Sequence, residues 1–151
     1  DGGWELALGC NLIVATKSAT FGLPEIGIGV FPQVAAVVLP AAGPRRKAME
    51  WILTGSEVGA VELEHFGLVN QTFDDKTFEA ELGKFVESIT KRSGPVLQLA
   101  KRAQTENYYA TWGEALYRVE NIYLRELMAL ADSQEGLRAF LEKRPPEWSD
   151  S

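Results

Sequence analysis

Near the start of the chain, two glutamates are each set among apolar and small neighbours. Glu5 lies in Gly2-Gly3-Trp4-Glu5-Leu6-Ala7-Leu8, and Glu25 follows Phe21-Gly22-Leu23-Pro24 and precedes Gly27 and Gly29. The apolar order Trp4, Leu6, Ala7, Leu8 predicts a short buried helix over residues 3–10 with the glycine pair at its start. The first N–H groups of a helix have no intrahelical partner and carry the positive end of its dipole. Glycines there let an oxygen approach, so the pair is a candidate anion site for charge developing on a carbonyl oxygen. A glycine pair before a helix more often serves close packing, so this feature alone is a weak signal. Glu5 is either a dipole-stabilising residue of the first turn or a working carboxylate, and Glu25 is either a solvated loop residue or one held by rigid backbone. Two carboxylates set against one anion-binding helix end could act as acid and base. Spacing alone leaves their convergence open.

The rest of the composition narrows the field. A chain of 151 residues that is 46% apolar can bury a substantial core. A formal charge of −6 argues against wrapping nucleic acid, which needs clustered Lys and Arg. Cys10 is the single cysteine, so neither an internal disulfide nor a zinc cluster is available; it reads as a small core residue in a reducing, cytoplasmic compartment. No apolar run is long enough to span a bilayer, and a membrane partner is not expected. His65, between Glu64 and Phe66, reads as a surface residue. Trp51, Trp112 and Trp148 read as hydrophobic contacts, whereas Trp4, beside the glycine pair, is a candidate to touch a substrate. Arg45-Arg46-Lys47 and Lys101-Arg102 read as solvated helix faces.

The elements that must position these residues follow from periodicity and from Gly and Pro. Residues 12–15 and 18–22 read as short strands, the second broken by Pro24, and residues 25–32 as a glycine-spaced loop. Residues 34–42 are apolar throughout and read as a helix. Pro44 opens a helix over 45–53 that Gly55 closes. A short helix over 61–66 stops at Gly67 and leads into a strand over 68–73. Beyond Asp74, Phe78, Leu82, Phe85, Val86 and Ile89 recur at helical spacing, as do Ala115, Leu116, Val119, Ile122, Tyr123 and Leu127. The reading is an α/β unit over residues 1–74 and a helical module over 75–151, with Gly94-Pro95 as a break inside the latter.

The order Gly2-Gly3-Trp4-Glu5-Leu6-Ala7-Leu8 with Cys10, then Ala19-Thr20-Phe21-Gly22-Leu23-Pro24-Glu25 with Gly29 and Pro32, resembles the signature of the enoyl-CoA hydratase/isomerase (crotonase) superfamily. Leu53-Thr54-Gly55, Gly67-Leu68-Val69 and the closing Glu135-Gly136-Leu137-Arg138-Ala139-Phe140-Leu141-Glu142-Lys143-Arg144 follow in family order. The resemblance implies the later part of a crotonase-like ββα spiral, followed by helices that trimerise and cover the acyl pocket, in a homotrimer or dimer of trimers. It implies that the Gly2 N–H is one half of an oxyanion hole whose other half comes from an upstream loop. Glu5 would activate water for attack at the β-carbon, and Glu25 would deliver a proton to the α-carbon. Trp4, Pro32 and Gln33 would border the substrate, and Phe140 and Lys143 would approach coenzyme A, often from a neighbouring subunit. Neither metal nor redox cofactor enters the scheme; coenzyme A is the substrate's handle.

Departures from the family pattern shape the expectation. Pro32-Gln33-Val34-Ala35-Ala36 stands where Pro-Gly-x-Gly-Gly is common, and Asn11 where Asp is frequent. The run Val30-Phe31-Pro32-Gln33-Val34-Ala35 looks closer to hydratases of cyclic dienoyl-CoA esters than to those of straight-chain substrates. Two alternatives stay open: a double-bond isomerase that uses Glu25 alone, and a non-catalytic assembly module. The chain opens at Asp1 directly into the glycine pair and reads as a fragment, expected to be inactive by itself.

Overall fold

The computed structural model describes residues 2–91, 97, 100–101, 112–114, 116–117, 120–121 and 123–147. The elements run α1 (Gly2–Leu8), β1 (Val14–Thr16), β2 (Thr20–Phe21), a 3-10 turn (Pro24–Ile28), α2 (Gln33–Ala42) and α3 (Arg45–Thr54). They continue with β3 (Val58–Gly59), α4 (Ala60–His65), β4 (Gln71–Phe73), α5 (Phe78–Thr90), a second 3-10 turn (Leu127–Ala129) and α6 (Ala131–Glu142). β1 pairs parallel with β4, Val14 opposite Gln71 and Thr16 opposite Phe73. β2 pairs antiparallel with β3, Thr20 opposite Gly59 and Phe21 opposite Val58.

Several boundaries differ from the sequence reading for identifiable reasons. α1 begins at Gly2 and ends at Leu8, because Gly9 and Cys10 fold into a turn whose N–H groups return to Glu5, Leu6 and Ala7 carbonyls. Cys10 is exposed here instead of packing in the core. The first strand starts at Val14, two residues late: the Ile13 N–H is taken by Asn70 Oδ1 at 2.7 Å, and the Asn70 N–H goes to the Ile13 carbonyl at 2.7 Å. For the same reason β4 starts at Gln71, and Leu68 and Val69 are buried core residues ahead of it. β2 is short because its partner β3, which periodicity did not reveal, has only two residues. Pro24 opens a 3-10 turn where a loop was expected, since its fixed φ suits a first helical position.

The core is built where α1, α2, α3 and α4 meet. Leu23, Leu39, Leu63 and Val69 are fully buried, and Trp4 is 4% exposed. The Trp4 ring meets Phe21 and Trp51 edge-on, with centroids 5.7 and 6.0 Å apart, and Trp51 meets Phe66 at 5.8 Å. Each such large side chain contributes ~1.5–3 kcal/mol by leaving water. This cluster anchors α1, and with it Glu5, against the start of α2.

α6 buries a face of small residues, Ser133, Gly136 and Ala139, spaced one turn apart, and packs against both 3-10 turns. Small residues bring the backbones close. α5 lies against β1 and β4. The described residues between 112 and 125 are helical, and Tyr123 packs edge-on to Phe31 at 5.4 Å. Gly94-Pro95, Arg102, Ala115, Val119, Ile122 and Trp148 lie outside the described residues. No helix among the described residues is long and apolar enough to cross a membrane.

Candidate active site

Glu5 sits in the first turn of α1, on the side facing the start of α2. The N-terminus of α2 is preceded by Pro32, which has no side chain able to cap it. The cap comes from Glu5: the N–H groups of Val34 and Ala35 donate to Glu5 Oε1 at 2.9 and 3.0 Å. A carboxylate on two free amides at a helix start satisfies orphan donors and the helix dipole together. Both bonds fall on one oxygen, so Oε2 stays outside the clamp.

Glu25 is held differently. It occupies the 3-10 turn between Pro24 and Gly29, and its own carbonyl accepts the Val30 N–H at 3.2 Å. Gly29 closes the turn with φ 78°, a left-handed conformation that a side chain would strain. The Glu25 side chain is half-buried, and its Oε2 is shut from solvent with no hydrogen-bond partner among the described residues. A buried carboxyl oxygen without a donor is unfavourable unless something beyond the described residues completes it. The expectation of either a solvated or a rigidly held Glu25 resolves toward the second.

An open cavity of about 360 Å³ borders α1 and the start of the Glu25 turn, and neither Glu5 nor Glu25 is among its lining residues. Its walls include Gly3 and Trp4 of α1, Phe21 and Gly22 at the end of β2, and Pro24, next to Glu25 in the chain. Glu57 lies across from them. A Cβ added at Gly2 would meet nothing within 4 Å, so the approach to the first amide of α1 is open among the described residues. Trp4 turns most of its ring into the core, Pro32 is fully buried, and Gln33 is half-buried as the first residue of α2. Phe140 is 63% exposed near the end of α6, and Lys143, also exposed, ends that helix with φ 55°. The structure thus ties Glu5 to the start of α2, directly after Pro32 and Gln33, while Gly2 stands exposed at the start of α1 and Trp4 packs into the core against Phe21 and Trp51. Phe140 and Lys143 stand apart on α6.

Three features escaped the sequence reading. One is the Val34 and Ala35 amide clamp, whose signal was a helix start preceded by a proline that cannot cap. Another is Gly55, where a Cβ would come 3.1 Å from Ile26 Cγ2 and 3.2 Å from the Leu23 carbonyl, so that α3 ends directly against the Glu25 turn. The third is Ser133, whose Oγ donates to the Gly29 carbonyl at 3.0 Å. Its signal was a hydroxyl on the small-residue face of α6.

Electrostatics are strongest away from the cavity. Arg144 donates to both oxygens of Glu135 at 2.6 and 3.0 Å, and the Glu147 N–H adds a third bond. The Arg144 bonds, then the Glu147 amide, hold the Glu135 carboxyl down at about 2, and the same pairing raises Arg144. This clamp folds the residues after α6 back onto it. His65 is exposed and stacks edge-on with Phe66. Among the described residues no group of His, Cys, Asp and Glu is arranged to hold a metal ion.

Comparison with known proteins adds the family. The enoyl-CoA hydratase/isomerase family model matches residues 1–151. A probable enoyl-CoA hydratase of Rhizobium meliloti is 39% identical over 149 residues, covering 97% of this chain and 57% of the relative. Cyclohexa-1,5-dienecarbonyl-CoA hydratase of Thauera aromatica is 37% identical over 149 residues, covering 99% of this chain and 57% of the relative. The crystal structure of an enoyl-CoA hydratase from Mycobacterium avium subsp. paratuberculosis superposes with a TM-score of 0.85 at 28% identity, over 99% of this chain and 61% of that one. The chain therefore spans little more than half the length of the curated relatives it matches.

Proposed function

This chain belongs to the enoyl-CoA hydratase/isomerase family and has its crotonase fold, and we propose that the whole enzyme adds water across the double bond of an α,β-unsaturated acyl-CoA thioester. The observation that carries this reading is the pair of unlike carboxylates: Glu5 fixed through one oxygen, and Glu25 with a buried oxygen that has no partner among the described residues. In the proposed reaction Glu5 takes a proton from water as the water oxygen bonds to the β-carbon. The π electrons move toward the thioester carbonyl oxygen, where the Gly2 N–H and a second donor outside this chain stabilise the charge. Glu25, entering the step protonated, delivers that proton to the α-carbon, and exchange with solvent then removes the proton from Glu5 and restores one to Glu25, completing the addition of water. Coenzyme A is bound as part of the substrate, with Phe140 and Lys143 toward that handle, and no other cofactor takes part. We assign the assembly as a homotrimer or dimer of trimers, with exposed apolar residues such as Leu124, Phe140 and Leu141 as contact surface between copies.

For the acyl group, the reading is a cyclic dienoyl-CoA. Gln33 adds a donor and an acceptor at the first position of α2, and Val34 follows it where smaller residues would leave room for a flexible chain. The 37% identity to the Thauera aromatica enzyme, named for such a substrate, supports it. The full-length enzyme is expected to show higher kcat/KM for a cyclic dienoyl-CoA than for crotonyl-CoA, by a factor worth ~1–3 kcal/mol, and Gln33→Gly should erode it. Equal or better use of crotonyl-CoA by wild type would sink the cyclic assignment.

One observation favours a second reading. Because Glu5 Oε1 already serves as the cap of α2, Glu5 has a structural role sufficient to account for its presence, and Glu25 could act alone as the proton shuttle of a double-bond isomerase. Absorbance separates the two. Hydration removes the conjugated enoyl thioester band, whereas isomerisation into conjugation creates it.

A further inference from the structure

The turn that carries Glu25 has a tether from the far end of the chain. Ser133, 1% exposed on α6, donates its hydroxyl to the Gly29 carbonyl at 3.0 Å across 104 residues of sequence. Gly29 is the left-handed residue that closes the Glu25 turn, and its N–H returns to Ile26 at 3.2 Å. Glu25 Oε2 has no partner among the described residues to orient it, so the place of that oxygen is set by the backbone of the turn. That backbone is fixed at one end by Pro24 and at the other by Gly29, and the bond beyond Gly29 is the one from Ser133. Gly136 and Ala139, on the same buried face, let α6 approach closely enough for the bond to form.

We propose that Ser133 is a positioning residue for Glu25, an inference that rests on Glu25 being the proton carrier. The hydroxyl sets the closing residue of the turn, the turn sets the carboxyl, and α6 thereby controls the alignment of proton transfer without touching the substrate. Misalignment by a fraction of an ångström lowers the chemical step while leaving substrate binding intact.

The test is steady-state kinetics on the full-length enzyme. Ser133→Ala should lower kcat roughly three- to thirtyfold, the range expected from one lost hydrogen bond and a small misplacement, with KM within about twofold. Alanine is a good helix former but leaves the Gly29 carbonyl without that donor, so the melting temperature should fall by roughly a few degrees. Ser133→Cys, of similar size with a weak donor, should recover part of the rate, whereas Ser133→Thr would overpack the small-residue face. In a Glu25→Asp background, which keeps a carboxylate on the turn, Ser133→Ala should have a different effect from that in wild type, since both act on one group. An unchanged kcat in Ser133→Ala, a loss shared equally by kcat and KM, or the same factor in the Glu25→Asp background would overturn the proposal. If Ser133→Ala does not yield folded enzyme, Ser133→Cys carries the same comparison. Wild-type turnover by Glu25→Gln would instead sink the proton-carrier assignment itself, whatever Ser133 does.

Discussion

In α1 the carboxylate itself is gripped, because two amides of α2 close on Glu5 Oε1. In the Pro24–Ile28 turn the grip is on the backbone: Glu25 Oε2 has no donor among the described residues, and Gly29, Gly55 and Ser133 surround the chain that carries it. A group holding water for attack benefits from a fixed oxygen. In the proposed reaction both groups also handle a proton, Glu5 taking one from water and Glu25 giving one to carbon, and each keeps an oxygen outside the contacts that fix it. The first arrangement uses side-chain chemistry and the second uses turn geometry, so the stability of the first should depend on the Glu5 side chain and that of the second on the backbone of the turn.

The largest expected effect is on rate. Glu5→Gln and Glu25→Gln keep shape but lose proton transfer, and each should lower hydration by ~10²–10⁴-fold in the full-length enzyme, measured by loss of enoyl absorbance. Next comes Gly55→Ala, which probes the backbone grip. Its φ of 64° and the contacts with Ile26 and the Leu23 carbonyl should cost about 2 kcal/mol in denaturant unfolding and disturb the Glu25 turn. A smaller effect separates two changes at Glu5. Glu5→Ala uncaps α2 and should cost about 1 kcal/mol, whereas Glu5→Gln keeps an acceptor oxygen and should unfold at nearly the wild-type denaturant midpoint. Equal stability loss in both would show that the amide clamp is not the source.

The smallest effect concerns the clamp after α6. Because Glu135 is held at about 2, below its ordinary 4.5, its pairing contributes fully above about 4.5 and is lost as pH falls toward 2. Over that window the acid-induced loss of stability should be steeper in wild type than in Glu135→Gln. Parallel acid titrations of unfolding check it.

Much of this was legible in the residues. The helix α2 was readable as an unbroken apolar run, α3 because Pro44 and Gly55 bracket it, and α5 because its apolar positions recur at helical spacing. The two glutamates were readable because carboxylates are out of place among Trp4, Leu6, Phe21 and Leu23. What was hidden depends on partners distant in sequence. Asn70 takes the Ile13 amide and delays β1, β3 exists only because β2 lies beside it, and the cap of α2 comes from 29 residues away. Cys10 looked like a core residue from its apolar neighbours, but the turn after α1 faces it outward. Local pattern identifies which residues are unusual; tertiary contacts decide what holds them.

The division of labour between the two glutamates is tested most directly with a saturated acyl-CoA, which can be neither hydrated nor dehydrated but can exchange its α-hydrogen with solvent deuterium. The readout is deuterium incorporation at the α-carbon by full-length wild type, Glu5→Gln and Glu25→Gln. If Glu25 carries the proton and Glu5 serves only water, Glu5→Gln exchanges at close to the wild-type rate and Glu25→Gln falls by ~10²-fold or more. Exchange that survives in Glu25→Gln and disappears in Glu5→Gln would contradict the assignment of both residues.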